Sequence, residues 1–248
     1  MPVVSSHRCD IGQVRSHNDD YIWIDQSMGL FIAADGMGGY KAGNVASEMA
    51  SRTVGSIVVN HLHDNPEQLS STAIKKLITE AIETANRSIY AAAKQDQEKH
   101  KMGTTIVVAL IYGSNAYISH AGDSRAYLVR DAALIRLTED DSWAEQFGPT
   151  DTTKKPNSEK GLIDHILTKS VGRDAELDPS FKEFEVEAGD WILLCSDGLW
   201  NMVENSRILE ILESSQNDPN QAANNLLNAA NTAGGTDNIA IVTIKILP

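Results

Sequence analysis

The sequence predicts an α+β fold in which antiparallel sheets are covered by helices. Two observations carry that prediction. Short apolar runs with strand character follow one another through tight turns, and the segments with helical periodicity fall into two adjacent pairs. Strict one-for-one alternation of strands and helices would have favoured a parallel sheet instead.

In chain order, Tyr21 to Ile24 and Leu30 to Ala33 are aromatic or β-branched runs separated by the turn-prone stretch Asp25 to Gly29. Beyond Asp35 the period changes. Ala46, Ala50, Val54, Ile57, Val58 and Leu62 recur at helical spacing, and Ile74, Leu77, Ile78, Ala81, Ala85 and Ile89 repeat the pattern on a second helix. Asp64-Asn65-Pro66 reads as the break between them, with the proline in the second helix's first turn. Strands are expected again at Thr105 to Tyr112, Ala116 to His120, Arg125 to Arg130 and Leu134 to Leu137, with turns at Gly113-Ser114-Asn115 and Asp131.

Residues 139–166 mix acids, lysines and threonines with Pro149 and Pro156, show little periodicity, and read as a mobile inserted lid. Trp191 to Cys195 is a buried strand, and two helices follow it. Asp218 caps the second of these, Pro219 lies just inside, and Gly234-Gly235 lies past the end. Ile239 to Ile246 closes the sequence as a strand. With no fixed-period repeat and no Ser/Gly linker, residues 1–248 are expected to form one domain.

Composition narrows the function. The apolar share is 42% and the charged share 22%, ordinary globular values that exclude wholesale disorder. With 21 basic and 34 acidic residues the net charge is -13, which argues against coating a nucleic acid backbone. A phosphorylated substrate stays open if metal ions supply the missing positive charge. Cys9 and Cys195 form no CxxC and no disulfide framework, which suits a reducing compartment. The longest apolar run, Ile106 to Tyr112, falls far short of the roughly 20 residues that cross a bilayer. Met1 to Asp10 lack the apolar core of a secretory signal. The expectation is a soluble, cytoplasmic, monomeric protein without membrane insertion.

The informative residues are aspartates at the margins of apolar runs. Asp35 follows Phe31-Ile32-Ala33-Ala34, Asp197 follows Leu193-Leu194-Cys195-Ser196, and Asp123 follows Ile118 to Gly122. Asp237 precedes the last strand, while Asp19 and Asp20 precede the first aromatic one. Any one Asp-Gly between strands is ordinarily a turn. Repetition of the arrangement at so many strand margins is better explained by one shared pocket of oxygen ligands, the chemistry that magnesium and manganese favour. The adjacent glycines let the backbone approach, so that the Gly36 carbonyl can itself be a ligand.

Competing motifs fail on inspection. Gly38 to Gly43 has phosphate-loop spacing, but Asn44 stands where a lysine is required. His61 and His63 lack a partner pair at zinc spacing and read as solvated histidines. There is no G-x-S-x-G elbow, and no calcium EF-hand loop. The run Glu139-Asp140-Asp141 reads as a solvated strand end.

At these positions the sequence resembles the metal-dependent, type 2C serine/threonine protein phosphatases of the bacterial type. The matching segments run in order: Gly12 to Asp20, Ala34-Asp35-Gly36-Met37-Gly38-Gly39, Gly103-Thr104-Thr105, Ala121-Gly122-Asp123-Ser124-Arg125, Ser196-Asp197-Gly198-Leu199-Trp200 and Gly235-Thr236-Asp237-Asn238-Ile239. The resemblance implies a four-layer αββα sandwich, two antiparallel sheets flanked by helix pairs, with a metal centre at one end. It also implies two core Mn2+ or Mg2+ ions held by Asp35, Asp197, Asp237 and the Gly36 carbonyl, with Asp35 bridging them. Asp19 would act through water, Asp123 with Asp197 would hold a third ion, and Arg15 would grip the substrate phosphate.

The implied activity is direct transfer of phosphate from phosphoserine or phosphothreonine to water, with Asp35, Asp197 and Arg15 carrying catalysis and both cysteines structural. The implied partners are phosphorylated proteins, a serine/threonine kinase and its targets. Two other readings stay open from the residues alone: a catalytically silent member that binds a partner, and a phosphatase of a small phosphorylated metabolite. Two departures stand out. Met37 occupies the position of a histidine in eukaryotic members. Asp141 replaces the histidine of a threonine-aspartate-histidine-serine stretch, and the lid that follows, Trp143 to Ile166, matches the family poorly.

Overall fold

Large apolar residues alternate with period two along the central strands, so each strand feeds two cores, and that alternation sets the layering. The computed structural model describes residues 1–38, 42–65, 68–95, 102–147 and 166–248. One antiparallel sheet holds β1 (Val3–Asp10), β7 (Arg125–Arg130), β8 (Ala133–Arg136), β10 (Trp191–Cys195) and β11 (Ile239–Ile246), in the order β1-β11-β10-β7-β8. The other holds β2 (Asp20–Asp25), β3 (Leu30–Met37), β5 (Ile106–Tyr112), β6 (Asn115–Ala121) and β9 (Ser180–Glu185), in the order β2-β3-β5-β6-β9. The short β4 (Gly103–Thr104) pairs with the end of β3.

Phe31, Ala33, Val107 and Ile118 point from the second sheet toward Ala126, Leu128, Ile192, Leu194 and Val242 of the first. On the opposite face of the second sheet, Leu30, Ile32, Val108 and Leu110 pack against α1 (Ala42–Asp64) and α2 (Ser71–Gln95). Two short turns, α3 (Trp143–Phe147) and α4 (Asp197–Trp200), precede the second helix pair, α5 (Asn205–Ser214) and α6 (Pro219–Thr232). That pair covers Tyr127, Trp191, Leu193 and Ile241 on the outer face of the first sheet. Three cores between four layers make the expected αββα sandwich. Among the described residues no helix is long and apolar enough to cross a membrane.

The C-terminal helix signals hold in detail: the Asp218 side chain accepts from the Asn220 N–H, with Pro219 in the first turn. Three local readings change. Two strands, β1 and β9, carry no strong pattern because each lies at a sheet edge; β1 has Ser5, Ser6, His7 and Arg8 at its centre, and β9 alternates lysine and glutamate with phenylalanine. α2 starts at Ser71, beyond Pro66, which lies outside the described residues; the Ser70 hydroxyl accepts from the Ala73 N–H at 3.2 Å and caps the helix.

The third correction concerns Glu139-Asp140-Asp141. Glu139 is exposed, but Asp140 and Asp141 are buried rather than solvated. Both oxygens of Asp140 engage Arg125, with Nη2 to Oδ2 at 2.6 Å, and Arg125 lies 3.5 Å from the Trp200 ring centroid. Asp141 exchanges backbone and side-chain hydrogen bonds with Gly122, and its carbonyl accepts from the Thr168 N–H. The start of the expected lid is therefore part of the packed structure, and 148–165 lie outside the described residues.

Candidate metal centre

Strand register brings the first two acids face to face. Asp20 opens β2 directly opposite Asp35 near the end of β3. Like charges at paired positions repel, and burial makes it worse: Asp20 is only 4% exposed. Its Oδ2 accepts from the Ser196 hydroxyl at 2.7 Å, whereas Oδ1 has no hydrogen-bond partner among the described residues. The Asp35 backbone is tied down independently of its side chain. Its N–H donates to Thr105 Oγ1 at 3.0 Å, and its carbonyl accepts from the Thr105 N–H and the Thr104 hydroxyl, each at 2.8 Å.

Asp19 is fixed by the start of α1. The Asn44 N–H donates to its Oδ1 at 2.9 Å, in keeping with the affinity of helix N-termini for anions, and His17 Nε2 lies 3.1 Å from its Oδ2. The Asp19 carbonyl accepts from the Gly36 N–H and the Ser47 hydroxyl, which locks the loop before β2 to both β3 and α1.

The opposite wall comes from the other sheet. Asp197 stands at the start of α4, immediately after β10, and Asp237 immediately precedes Asn238 and β11. Asn238 organises this side: its Oδ1 accepts from the Asp19 N–H at 2.8 Å, and its amide donates to the Ile11 and His17 carbonyls, each at 3.0 Å. Arg15 Nη2 donates to Asp237 Oδ2 at 2.6 Å, with the arginine side chain 55% exposed. Asp123 sits on the turn after β6, with its carbonyl accepting from Trp200 Nε1 at 3.0 Å.

All the sequence-predicted positions meet. Arg15, Asp19, Asp35, Gly36, Asp123, Asp197 and Asp237 line one cleft of about 480 Å3 at one end of the sandwich. Burial, reinforced by the charges of Asp20, Asp197, Asp123 and Asp237, raises the Asp35 carboxyl well above the usual range. Burial also pushes Asp20 up to about 8, against the lowering effect of the Ser196 hydrogen bond and with Asp197 and Asp237 adding to it. Asp123 is pushed up to about 7, by burial first and then by Asp197 and Asp140. Such a cluster is costly unless it takes up protons or hard cations, and the oxygen-only donor set fits magnesium or manganese. Among the described residues no three acidic, histidine or cysteine side chains draw close enough to hold an ion unaided.

The sign of the linkage gives a test. Acids raised in the folded state bind protons that the unfolded chain has released, so their full contribution is present below about pH 4 and is lost as pH rises toward 7–8. In chelator, the melting temperature should therefore fall between pH 5 and pH 8 by several degrees, on the order expected for a few kcal/mol. Added manganese should recover most at the higher pH. A chelated protein that melts higher at pH 8 than at pH 5 would contradict this electrostatic account.

The profile of the family described as protein phosphatase 2C matches residues 12–230. The chain belongs to the protein phosphatase 2C family. The serine/threonine phosphatase Stp of Listeria monocytogenes is 32% identical over 241 residues, 96% of this chain and 94% of that protein. The protein phosphatase PhpP of Streptococcus pneumoniae is 33% identical over 240 residues, 96% and 95% of the two chains. The crystal structure of the serine/threonine phosphatase PstP/Ppp of Mycobacterium tuberculosis superposes with a TM-score of 0.83 at 28% identity, covering 99% of both chains. A structure of the PstP catalytic domain in complex with two manganese ions superposes equally well, with a TM-score of 0.83.

In the sequence Asp20 is counted among the strand-margin acids but has no specific role, and Asn238 has none. Asp20 carried a usable signal, because it is in phase with Ile22 and Ile24, which pack toward the space between the sheets. Asn238 carried none; its three loop contacts join segments more than two hundred residues apart in sequence.

Proposed function

We propose that this chain is a protein serine/threonine phosphatase that hydrolyses phosphoserine and phosphothreonine with the aid of two manganese or magnesium ions. The observation that carries the reading is the convergence of acids from the ends of both sheets on the cleft that also holds Arg15. Asp35, Asp197, Asp237 and the Gly36 carbonyl would hold the two ions, Asp19 would contribute through water, and Asp123 with Asp197 would hold a third. Bound there, the ions supply the positive charge that activates water and stabilises the attacking and leaving oxygens. Asp19 is oriented by α1 and His17, so it can order solvent at the cleft floor. The Arg15 guanidinium has five donors and spends one on Asp237, which leaves a planar fork for phosphate oxygens.

Neither Cys9 nor Cys195 is among the described residues that line the cleft, and burial pushes the Cys195 thiol well above the ordinary range, so neither supplies a ready thiolate nucleophile there. That supports direct transfer to water. A serine/threonine kinase and its targets are the proposed partners, and a monomer formed by one domain over residues 1–248, in the cytoplasm, is the proposed form. The purified chain should hydrolyse a phosphothreonine peptide with manganese or magnesium, and chelation should abolish turnover until metal is returned. Arg15→Ala should raise KM for the peptide roughly tenfold, the scale of a charge-assisted contact, with metal affinity near that of the parent. No hydrolysis with either metal sinks the proposal, and an unchanged KM removes Arg15 from it.

A further inference from the structure

A second depression, of about 380 Å3, adjoins the metal cleft, and Met37 and Arg173 belong to the walls of both. Its chemistry is the reverse of its neighbour's. Tyr90 and Lys94 of α2 belong to its wall, and the described lining holds no acidic side chain. The Lys94 ammonium sits 4.3 Å from the Tyr90 ring centroid, which holds the charge at this rim.

The segment that presents Arg173 is clamped. Gly172, at φ +90°, donates its N–H to Oδ1 of the buried Asn86 at 2.6 Å, and Asn86 Nδ2 donates back to the Asp174 carbonyl at 3.0 Å. A Cβ on Gly172 would fall 2.1 Å from Ile89 Cγ2, so the backbone is pressed directly onto α2. Arg173 Nη1 also donates to the Leu167 carbonyl at 2.9 Å, which restrains the guanidinium. Two cations thus stand on a fixed platform beside a cleft walled by carboxylates.

We propose that this depression is a substrate subsite that takes a carboxylate side chain, Asp or Glu, lying within a few residues of the phosphorylated residue. The inference rests on the phosphoprotein reading above and adds a sequence preference to it. A net charge of -13 by itself would favour basic substrates. Local charge decides instead, because screening confines each interaction to about a Debye length, roughly 8 Å at physiological salt. An extended peptide advances about 3.3 Å per residue, so a side chain a few positions from the phosphate reaches a neighbouring depression.

The test uses phosphothreonine peptides in which a single Glu, Ala or Lys is scanned over the four positions on each side. At the best position Glu should exceed Ala in kcat/KM by roughly fivefold, the upper range for an exposed charge pair, and Lys should fall below Ala. Each variant's peptide rate is divided by its own rate on p-nitrophenyl phosphate, so general damage to the centre cancels. The Glu preference should collapse toward unity in Lys94→Ala and Arg173→Ala, invert in Lys94→Glu, and persist in Lys94→Arg. A flat scan, or a preference untouched by Lys94→Ala and Arg173→Ala, overturns the subsite and leaves the phosphatase reading standing. Failure to hydrolyse any of the peptides overturns both.

Discussion

Asp35→Asn and Asp197→Asn are each expected to lower kcat on a phosphothreonine peptide by about a thousandfold or more while the protein stays folded. The fold should survive because the backbone around each residue is held by hydrogen bonds of its own. Asp35 is anchored through its own N–H and carbonyl by Thr104 and Thr105, and Thr105 is braced in turn by Ser124 at 2.6 Å. Asp197 opens a turn whose backbone bonds come from Asn201 and the Leu199 carbonyl. The same substitutions make a second prediction of opposite sign. Replacing an acid whose ionisation the cluster opposes with a neutral amide should raise the melting temperature of the chelated protein near pH 8, most clearly for Asp35→Asn, whose carboxyl is raised by burial and four neighbouring acids. Loss of turnover combined with a gain in metal-free stability separates a ligand from a structural residue. Near-normal turnover in saturating manganese, or a destabilised chelated protein, would remove Asp35 from the centre.

The parts of the fold legible in the sequence are those whose stability is local or patterned. The helices α1 and α2 repeat an apolar face over many turns, β5, β10 and β11 are nearly continuous apolar runs, and the ends of α6 carry their own cap signals. The acids of the cleft were legible for a related reason: each interrupts an apolar run at its margin, where a lone charge has no local explanation. What stayed hidden depends on partners remote in sequence. The edge strand β1 is held by its register with β11, Val3 opposite Ile246, which no local pattern encodes. Asp140 looks like a surface acid until Arg125 and Trp200 are folded over it. Asp20 is indistinguishable from Asp19 in composition, yet one faces the N-terminus of α1 and the other faces Asp35 and Ser196.

Gly36→Ala is expected to cost about 3 kcal/mol or more of stability together with most of the activity. Its backbone conformation is ordinary; the constraint is proximity. A Cβ there would fall 2.1 Å from the Gly43 carbonyl oxygen, 2.4 Å from the Gly43 carbonyl carbon and 2.7 Å from the Asp19 carbonyl oxygen. All three contacts are backbone, so no side chain can swing aside. Gly43 returns the constraint, since a Cβ on it would meet the Gly36 carbonyl at 2.7 Å and the Asp19 carboxyl carbon at 3.0 Å. Relief requires the end of β3 to part from the first turn of α1, which breaks the Gly36-to-Asp19 backbone bond and draws the Asn44 N–H off the Asp19 carboxylate. Stability and catalysis therefore fall together, unlike the Asp35→Asn case, in which they part. Gly189→Ala is the matched control. Its φ of +99° makes alanine strained, at about 1 kcal/mol, but a Cβ there meets nothing within 4 Å and turnover should be kept. Urea unfolding and peptide turnover on both variants decide the matter. Parental stability and rate in Gly36→Ala would mean that β3 and α1 are not in contact at the cleft floor.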